Sequence, residues 1–196
     1  MNKAMKTASI SLSINAAYAL YYLVFSVLSG SWWMLTLGSY YLILSILRFV
    51  VLQRKSKEHF IAKFTGVMLM ILSIPLVGSV VLSLIQDRGH EFHMILMIAM
   101  AAYAFTKITL ATINFIRSRR SASAKLITLR NISFADAFVS IFALQRSMLV
   151  SFEGMSDAEI VIMNASLGAA VCVVVFLLGV NLIRHKKILF DKLNNI

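Results

Sequence analysis

Cysteine, proline and acidic side chains are scarce in this chain. Cys172 is the single cysteine among 196 residues, so no disulfide can form within the chain and no cluster of thiolates can bind a metal ion. Pro75 is the single proline, and it predicts a kink in the apolar segment that contains it. Asp and Glu number 8 against 19 Lys and Arg, which gives a net charge of +11.

Apolar residues make up 60% of the chain, and the mean hydropathy is +0.84. A soluble domain has roughly 45 to 50% apolar residues, whereas a helix of about 20 apolar residues crosses a hydrocarbon core of about 30 Å. We therefore predict an all-α polytopic membrane protein, a bundle of six transmembrane helices in a single transmembrane domain over residues 1–196. The predicted spans are 8–29, 32–52, 61–85, 92–116, 126–149 and 160–183.

Basic residues are distributed unevenly between the predicted connections. Most fall at the two ends of the chain and in two of the connections, whereas Arg88 lies in a segment on the opposite side, beside Asp87 and Glu91. Because cytoplasmic segments carry the excess of Lys and Arg, both termini are predicted in the cytoplasm. The same rule explains the high charge without nucleic acid, and anionic lipids of the inner leaflet should attract basic segments such as 184–196.

The first segment also resembles a secretory signal, since Lys3 and Lys6 precede it and Ala17-Tyr18-Ala19 imitates a cleavage site. Its apolar run, however, continues through Leu28, and the residues before Ala17 are too polar for the apolar region of a signal. We expect the segment to remain as the first helix.

Four residues near span ends fit the membrane interface. Trp32 and Trp33 stand at the outer end of the second span, where indole rings anchor helices at headgroup level. Arg48 and Arg146 lie close enough to the ends of their spans for their side chains to extend to water. We expect these four residues to be interfacial and to need no function.

Polar residues form stripes on three of the predicted spans when successive residues are placed 100° apart around a helix axis. The stripes are Ser11, Asn15, Tyr18, Tyr22, Ser26 and Ser29 in the first span, Tyr103, Lys107 and Asn114 in the fourth, and Ser133, Asp136, Ser140 and Ser147 in the fifth. Such faces avoid lipid tails, which predicts a common polar interior. Either these groups link the helices by hydrogen bonds, or they line a hydrated cavity.

Lys107 and Asp136 are the ionisable residues placed deepest in the predicted spans. Each lies about 13 Å from the inner end of its span at 1.5 Å per residue, so we predict an ion pair, with Arg48 as a second candidate partner of Asp136. A charge at the bilayer centre costs at least ~2.5 kcal/mol. The pair is therefore either a structural link between two helices or a site where Asp136 binds a proton or a cation.

Motifs of catalysis and metal binding do not occur in the sequence. His90 and His93 are three residues apart without the spacing of a zinc site. No glycine-rich phosphate loop, nucleophile motif or pair of carboxylates at one depth is present. We predict no enzyme activity, no cofactor and no metal ion.

Three stretches of the chain carry a family resemblance: SWWMLTLGSYYLILSILRF, AYAFTKITLATINFIRSRR and RNISFADAFVSIFALQRSM. They resemble an uncharacterised family of small six-helix integral membrane proteins of Gram-positive bacteria. The resemblance implies a location in the bacterial cytoplasmic membrane, and it implies neither an activity nor a site residue.

The polar interior leads to two hypotheses of function. The first is a small transporter or channel-like protein whose ion or solute meets Asp136, Lys107, Asn15, Tyr103, Asn114, Ser133 and Ser140. The alternative is a non-transporting membrane protein with an accessory, regulatory or self-protection role. A hydrated cavity at Asp136 would favour transport, and a dry, fully paired interior would favour the alternative. Because six short helices enclose little space, we also consider a homodimer.

Overall fold

Six α-helices make up the part of the chain that the structure, a computed structural model, describes: residues 3–53, 58–85, 94–119, 124–151 and 156–194. The helices are α1 (Lys3–Ser29), α2 (Trp32–Gln53), α3 (Glu58–Ile85), α4 (Met94–Arg119), α5 (Ala124–Ser151) and α6 (Asp157–Asn194). Each predicted span corresponds to one helix, and no strand occurs in these ranges. The predicted all-α bundle of six helices is therefore confirmed.

Five of these helices are long and apolar enough to cross a membrane. For α4, the apolar stretch among the described side chains is Met100–Ile113. The helix nevertheless has 26 residues, about 39 Å at 1.5 Å per residue, which exceeds a hydrocarbon core of about 30 Å. The bundle thus has the composition of an integral membrane protein, and the cytoplasmic side of its termini stays a prediction.

The central helix is α5, which contacts α2, α3, α4 and α6. Of its apolar window, 67% is buried, a larger share than in the other four spans. The closest pairs around it are α1 with α2 and α3 with α6. Polar side chains on α5 are therefore shielded by several helices at once.

Gly30 makes the tight turn between α1 and α2 possible. Its φ of 63° lies in the left-handed region, which glycine adopts without a steric cost. The Ser31 amide donates to the Ser26 carbonyl at 3.2 Å, the bond that closes a Schellman motif. Ser31 then caps α2 by accepting a hydrogen bond from the Met34 amide at 3.5 Å. The two helices form an antiparallel hairpin.

Glycines bring α3 and α6 into backbone contact. A Cβ atom added to Gly179 would lie 2.7 Å from the Gly66 carbonyl oxygen, and one added to Gly66 would lie 2.9 Å from the Gly179 oxygen. Farther along the same pair, a Cβ on Gly168 would lie 2.5 Å from Val80. Small residues at helix crossings are typical of membrane bundles.

The ends of α6 differ from the predicted span. The helix begins at Asp157, because Ser156 and Glu159 form a capping box: the Ser156 amide donates to Glu159 Oε2 at 2.9 Å and the Glu159 amide donates to Ser156 Oγ at 3.4 Å. At the other end, the basic tail continues α6 to Asn194 instead of starting a new element. Its attachment to the inner leaflet stays a prediction, as does the kink at Pro75, through which α3 runs without interruption.

Candidate functional site

Asp136, which is 0% exposed, forms the centre of the polar interior. Its Oδ2 atom accepts hydrogen bonds from Lys107 Nζ of α4 at 2.6 Å and from Asn15 Nδ2 of α1 at 2.8 Å. Arg48 Nη2 of α2 donates to the same oxygen at 3.4 Å. The predicted Lys107–Asp136 ion pair is confirmed, and Arg48 is a second partner rather than a competing one.

Arg48 lies inside the bundle and does not extend to water, contrary to the sequence-based expectation. It is 1% exposed, and besides Asp136 it donates through Nη1 to Ser11 Oγ and through Nη2 to Ser133 Oγ, the latter at 3.3 Å. The reason is its helix face: position 48 points at α1 and α5, where two hydroxyls and a carboxylate accept its protons. The distance of a residue from the end of its span gives its depth in the membrane. It does not give the rotation of the helix about its axis, which here turns Arg48 inward.

The hydrogen bonds at this cluster are distributed unevenly between the two carboxylate oxygens of Asp136. Three helices donate to Oδ2 of Asp136, while its Oδ1 atom has no hydrogen-bond partner among the described residues. The Nε atom of Arg48 is likewise buried without a partner. A buried unsatisfied polar group costs about 1–3 kcal/mol. Lys107 and Arg48 also bring two positive charges to one carboxylate, so the cluster carries one positive charge in excess.

A layer of tyrosines covers the charged cluster on the side of the α1–α2 turn. The rings of Tyr18 and Tyr103 are stacked, with centroids 3.5 Å apart and an interplanar angle of 7°, and Tyr41 meets Tyr103 edge-on at 6.1 Å. Tyr103 also touches the cluster, because its hydroxyl donates to Asn15 Oδ1 at 3.3 Å and Lys107 Nζ lies 5.0 Å from its ring centroid. The layer therefore lies between the cluster and the end of the bundle that holds the α1–α2 turn.

Ser140 connects the tyrosine layer to the backbone beside Asp136. Its hydroxyl donates to the Asp136 carbonyl oxygen at 2.8 Å and is 3.1 Å from the Tyr41 hydroxyl. Tyr41 was not among the predicted interior residues, although it lies two helical turns before Arg48 on the same face of α2. That shared face is the signal that could have identified it.

The predicted site residues are mostly brought together. Asn15, Tyr103, Lys107, Ser133 and Asp136 belong to one hydrogen-bonded network, and Ser140 joins it through the Asp136 carbonyl oxygen. The side chain of Asn114 lies outside the described residues. Their role in binding an ion or a solute stays a prediction.

Trp33 and Arg146 pack together at the end of the bundle where α2 begins and α5 ends. The guanidinium carbon of Arg146 lies 4.6 Å from the indole ring of Trp33, and each residue is 4% exposed. Trp32, by contrast, is 64% exposed and suits the predicted interfacial anchor. The interfacial expectation is therefore wrong for Trp33 and Arg146. Trp33 begins the buried face of α2 that continues through Leu37, so it cannot face lipid.

No group of three or more His, Cys, Asp or Glu side chains that could hold a metal ion occurs among the described residues. His90 and His93, the histidines considered in the sequence, lie outside this part of the chain. Cys172 is a free, buried thiol packed in the apolar core of the bundle.

Comparison with known proteins adds no relative: no family model, no curated protein and no solved structure matches the chain. The resemblance to small membrane proteins of Gram-positive bacteria therefore stays a prediction. The site has to be interpreted from its own geometry.

Proposed function

We propose that this protein is a small ion-coupled membrane transporter in a closed state, and that Asp136 is the group that takes up and releases the coupling proton. The observation that carries the proposal is the uneven hydrogen bonding of the two oxygens of the Asp136 carboxylate. One oxygen accepts hydrogen bonds from α1, α2 and α4, and the other has no partner among the described residues. Intramembrane acids that persist despite their cost commonly mark ion or proton pathways.

Protonation of Asp136 would change the forces between the helices. In the ionised state, its negative charge holds Lys107 and Arg48, and through them α4 and α2, against α5. A proton on the carboxyl removes that charge and leaves two buried cations side by side, which repel each other strongly where the dielectric constant is low. Proton uptake would therefore favour separation of these helices, which is the coupling that a transporter requires.

The path proposed for the solute follows the polar network along the bundle. Tyr18, Tyr41 and Tyr103 form the closed outer side, and Ser11 and Ser133 continue the hydroxyl lining toward the inner side. Opening on the outer side would require the stacked pair of tyrosines to separate. The bacterial cytoplasmic membrane is part of this proposal and rests on the family resemblance alone.

The second candidate is a non-transporting membrane protein with an accessory, regulatory or self-protection role. The low exposure of Asp136, Lys107 and Arg48, between 0% and 2%, favours it, because a cluster closed to water on all sides resembles a structural link between helices. In that case, the excess positive charge would be a cost of helix packing without a role in transport.

Proton flux into proteoliposomes distinguishes the two candidates. We would reconstitute the wild type with a pH-sensitive dye inside, impose an inside-negative potential with a potassium gradient and valinomycin, and follow acidification of the lumen. The transporter proposal predicts acidification by the wild type and its loss in Asp136→Asn. Asp157→Asn is the matched control, since it makes the same change at an exposed acid on α6. Equal rates for the wild type, Asp136→Asn and empty vesicles would contradict a proton path through Asp136.

A further inference from the structure

Two buried donors without acceptors lie side by side at the outer end of the bundle. Nη1 of Arg146 and Nε1 of Trp33 are both buried and have no hydrogen-bond partner among the described residues, and their side chains stack with 4.6 Å between the guanidinium carbon and the ring centroid. A buried donor normally has an acceptor, from protein or from a bound molecule. Two adjoining exceptions indicate that something else supplies the acceptor.

Arg146 also has no counter-charge. Among the described acids, Asp136 pairs with Lys107 and Arg48, and Asp157 and Glu159 are exposed at the start of α6. A buried charge without a partner is strongly unfavourable. The stacked indole ring stabilises the cation through its π face, but this contact satisfies neither free N–H group.

We propose that Arg146 and Trp33 bind a small anion at the outer end of the bundle. The anion accepts one hydrogen bond from Arg146 Nη1 and one from Trp33 Nε1 and neutralises the guanidinium. The site does not involve Asp136, and it is independent of the transport proposal.

The position of the pair fits a ligand that arrives from the outer side. Arg146 lies within the last two turns of α5, which ends at Ser151, and Trp33 is the second residue of α2. Both a free anion such as chloride or phosphate and the phosphate of a lipid headgroup can reach this depth. The ligand class is therefore a compact anion with a strong acceptor atom, and experiment has to identify its source.

Tryptophan fluorescence gives a direct measurement of this site. The chain has 2 tryptophans, so Trp32→Phe leaves Trp33 as the single reporter. In maltoside micelles, iodide replaces gluconate at constant ionic strength. We expect quenching of Trp33 that saturates with iodide concentration. Arg146→Gln in the same background should abolish the saturable component, and Lys63→Gln, which removes an exposed cation at the other end of the bundle, should retain it.

Competition against iodide identifies the source of the anion. Reversal of quenching by chloride or inorganic phosphate assigns the site to a free anion. Reversal by micellar concentrations of a short-chain phosphatidylglycerol, with no effect of chloride or phosphate, assigns it to a lipid headgroup. Both results support the site.

A second variant covers the case in which Arg146→Gln fails to fold. Trp33→Phe keeps an aromatic face for Arg146 and removes the Nε1 donor together with the five-membered ring of the indole, so the anion that protects the wild type against thermal unfolding should bind at least about tenfold more weakly, the effect of one hydrogen bond. The proposal is wrong if quenching rises linearly with iodide in every variant and the unfolding temperature of the wild type is independent of chloride, phosphate and lipid.

Discussion

At the scale of single residues, one carboxylate oxygen determines how the polar interior is arranged. Oδ2 of Asp136 accepts hydrogen bonds from Lys107, Asn15 and Arg48, each on a different helix. The ion pair could be predicted because depth along a helix follows from residue counting. The roles of Arg48 and Arg146 could not, because the rotation of each helix about its axis depends on all of its neighbours. An arginine near a span end can turn toward lipid headgroups or toward the core, and here both arginines turn inward.

The charges of Asp136, Lys107 and Arg48 predict which substitution in this cluster destabilises the protein most. Lys107→Met leaves Asp136 balanced by Arg48, whereas Asp136→Asn leaves two buried cations unpaired. We expect Asp136→Asn to lower the free energy of unfolding by about 3–5 kcal/mol, as for other broken buried pairs, and Lys107→Met to lower it by less. The double variant should recover part of the Asp136→Asn loss, because it removes one of the unpaired cations.

Thermal unfolding of the four proteins in the same micelles checks this order. A loss for Lys107→Met that equals or exceeds the loss for Asp136→Asn would show that Arg48 does not balance the carboxylate. The cluster would then be a simple Lys107–Asp136 pair.

At the scale of helices, close packing depends on small residues at particular crossings. The spans themselves could be predicted, since length and hydropathy are local properties, and the α1–α2 hairpin could be predicted because Gly30 and Ser31 leave room only for a turn. The backbone contact of Gly66 with Gly179 could not be predicted. These residues are far apart in the chain. Nothing local distinguishes them from Gly78, where an added Cβ atom would have no neighbouring atom within 4 Å.

Gly179 and Gly78 therefore form a matched pair of test positions. In Gly179→Val, the added atoms collide with the Gly66 carbonyl, which belongs to the backbone and cannot move aside, so we expect a loss of about 1–3 kcal/mol in the free energy of unfolding. Gly78→Ala should be neutral or stabilising by up to about 1 kcal/mol, because alanine is the better helix former. Thermal unfolding in micelles measures both. Equal losses for the two variants would mean that α3 and α6 do not cross at Gly66 and Gly179.

At the scale of the whole molecule, the predicted orientation rests on charge alone. The basic residues of the described helices include Lys63 near the start of α3, and the acidic residues include Asp157 at the start of α6. By the positive-inside rule, Lys63 is predicted on the cytoplasmic side and Asp157 on the outer side. The bundle shows that these positions lie at opposite ends, since α3 and α6 pack antiparallel through Gly66–Gly179 and Val80–Gly168.

Cysteine labelling tests the orientation with little background. Cys172 is the single native cysteine and is buried, so Cys172→Ala gives a thiol-free chain into which Asp157→Cys or Lys63→Cys can be introduced. In intact cells, a membrane-impermeant maleimide should label Asp157→Cys, and Lys63→Cys only after permeabilisation. The reverse pattern would place both termini outside.

The shielding of Lys107 has a consequence for how the chain enters the bilayer during synthesis. Lys107 lies in the middle of α4, and among the described residues its counter-ion is Asp136, 29 residues further along the chain. At about 5–20 residues per second, the ribosome needs roughly 1–6 s to supply that residue. During this interval α4 carries an uncompensated charge and partitions poorly into lipid. α4 and α5 are therefore expected to leave the translocon together, as one helical hairpin.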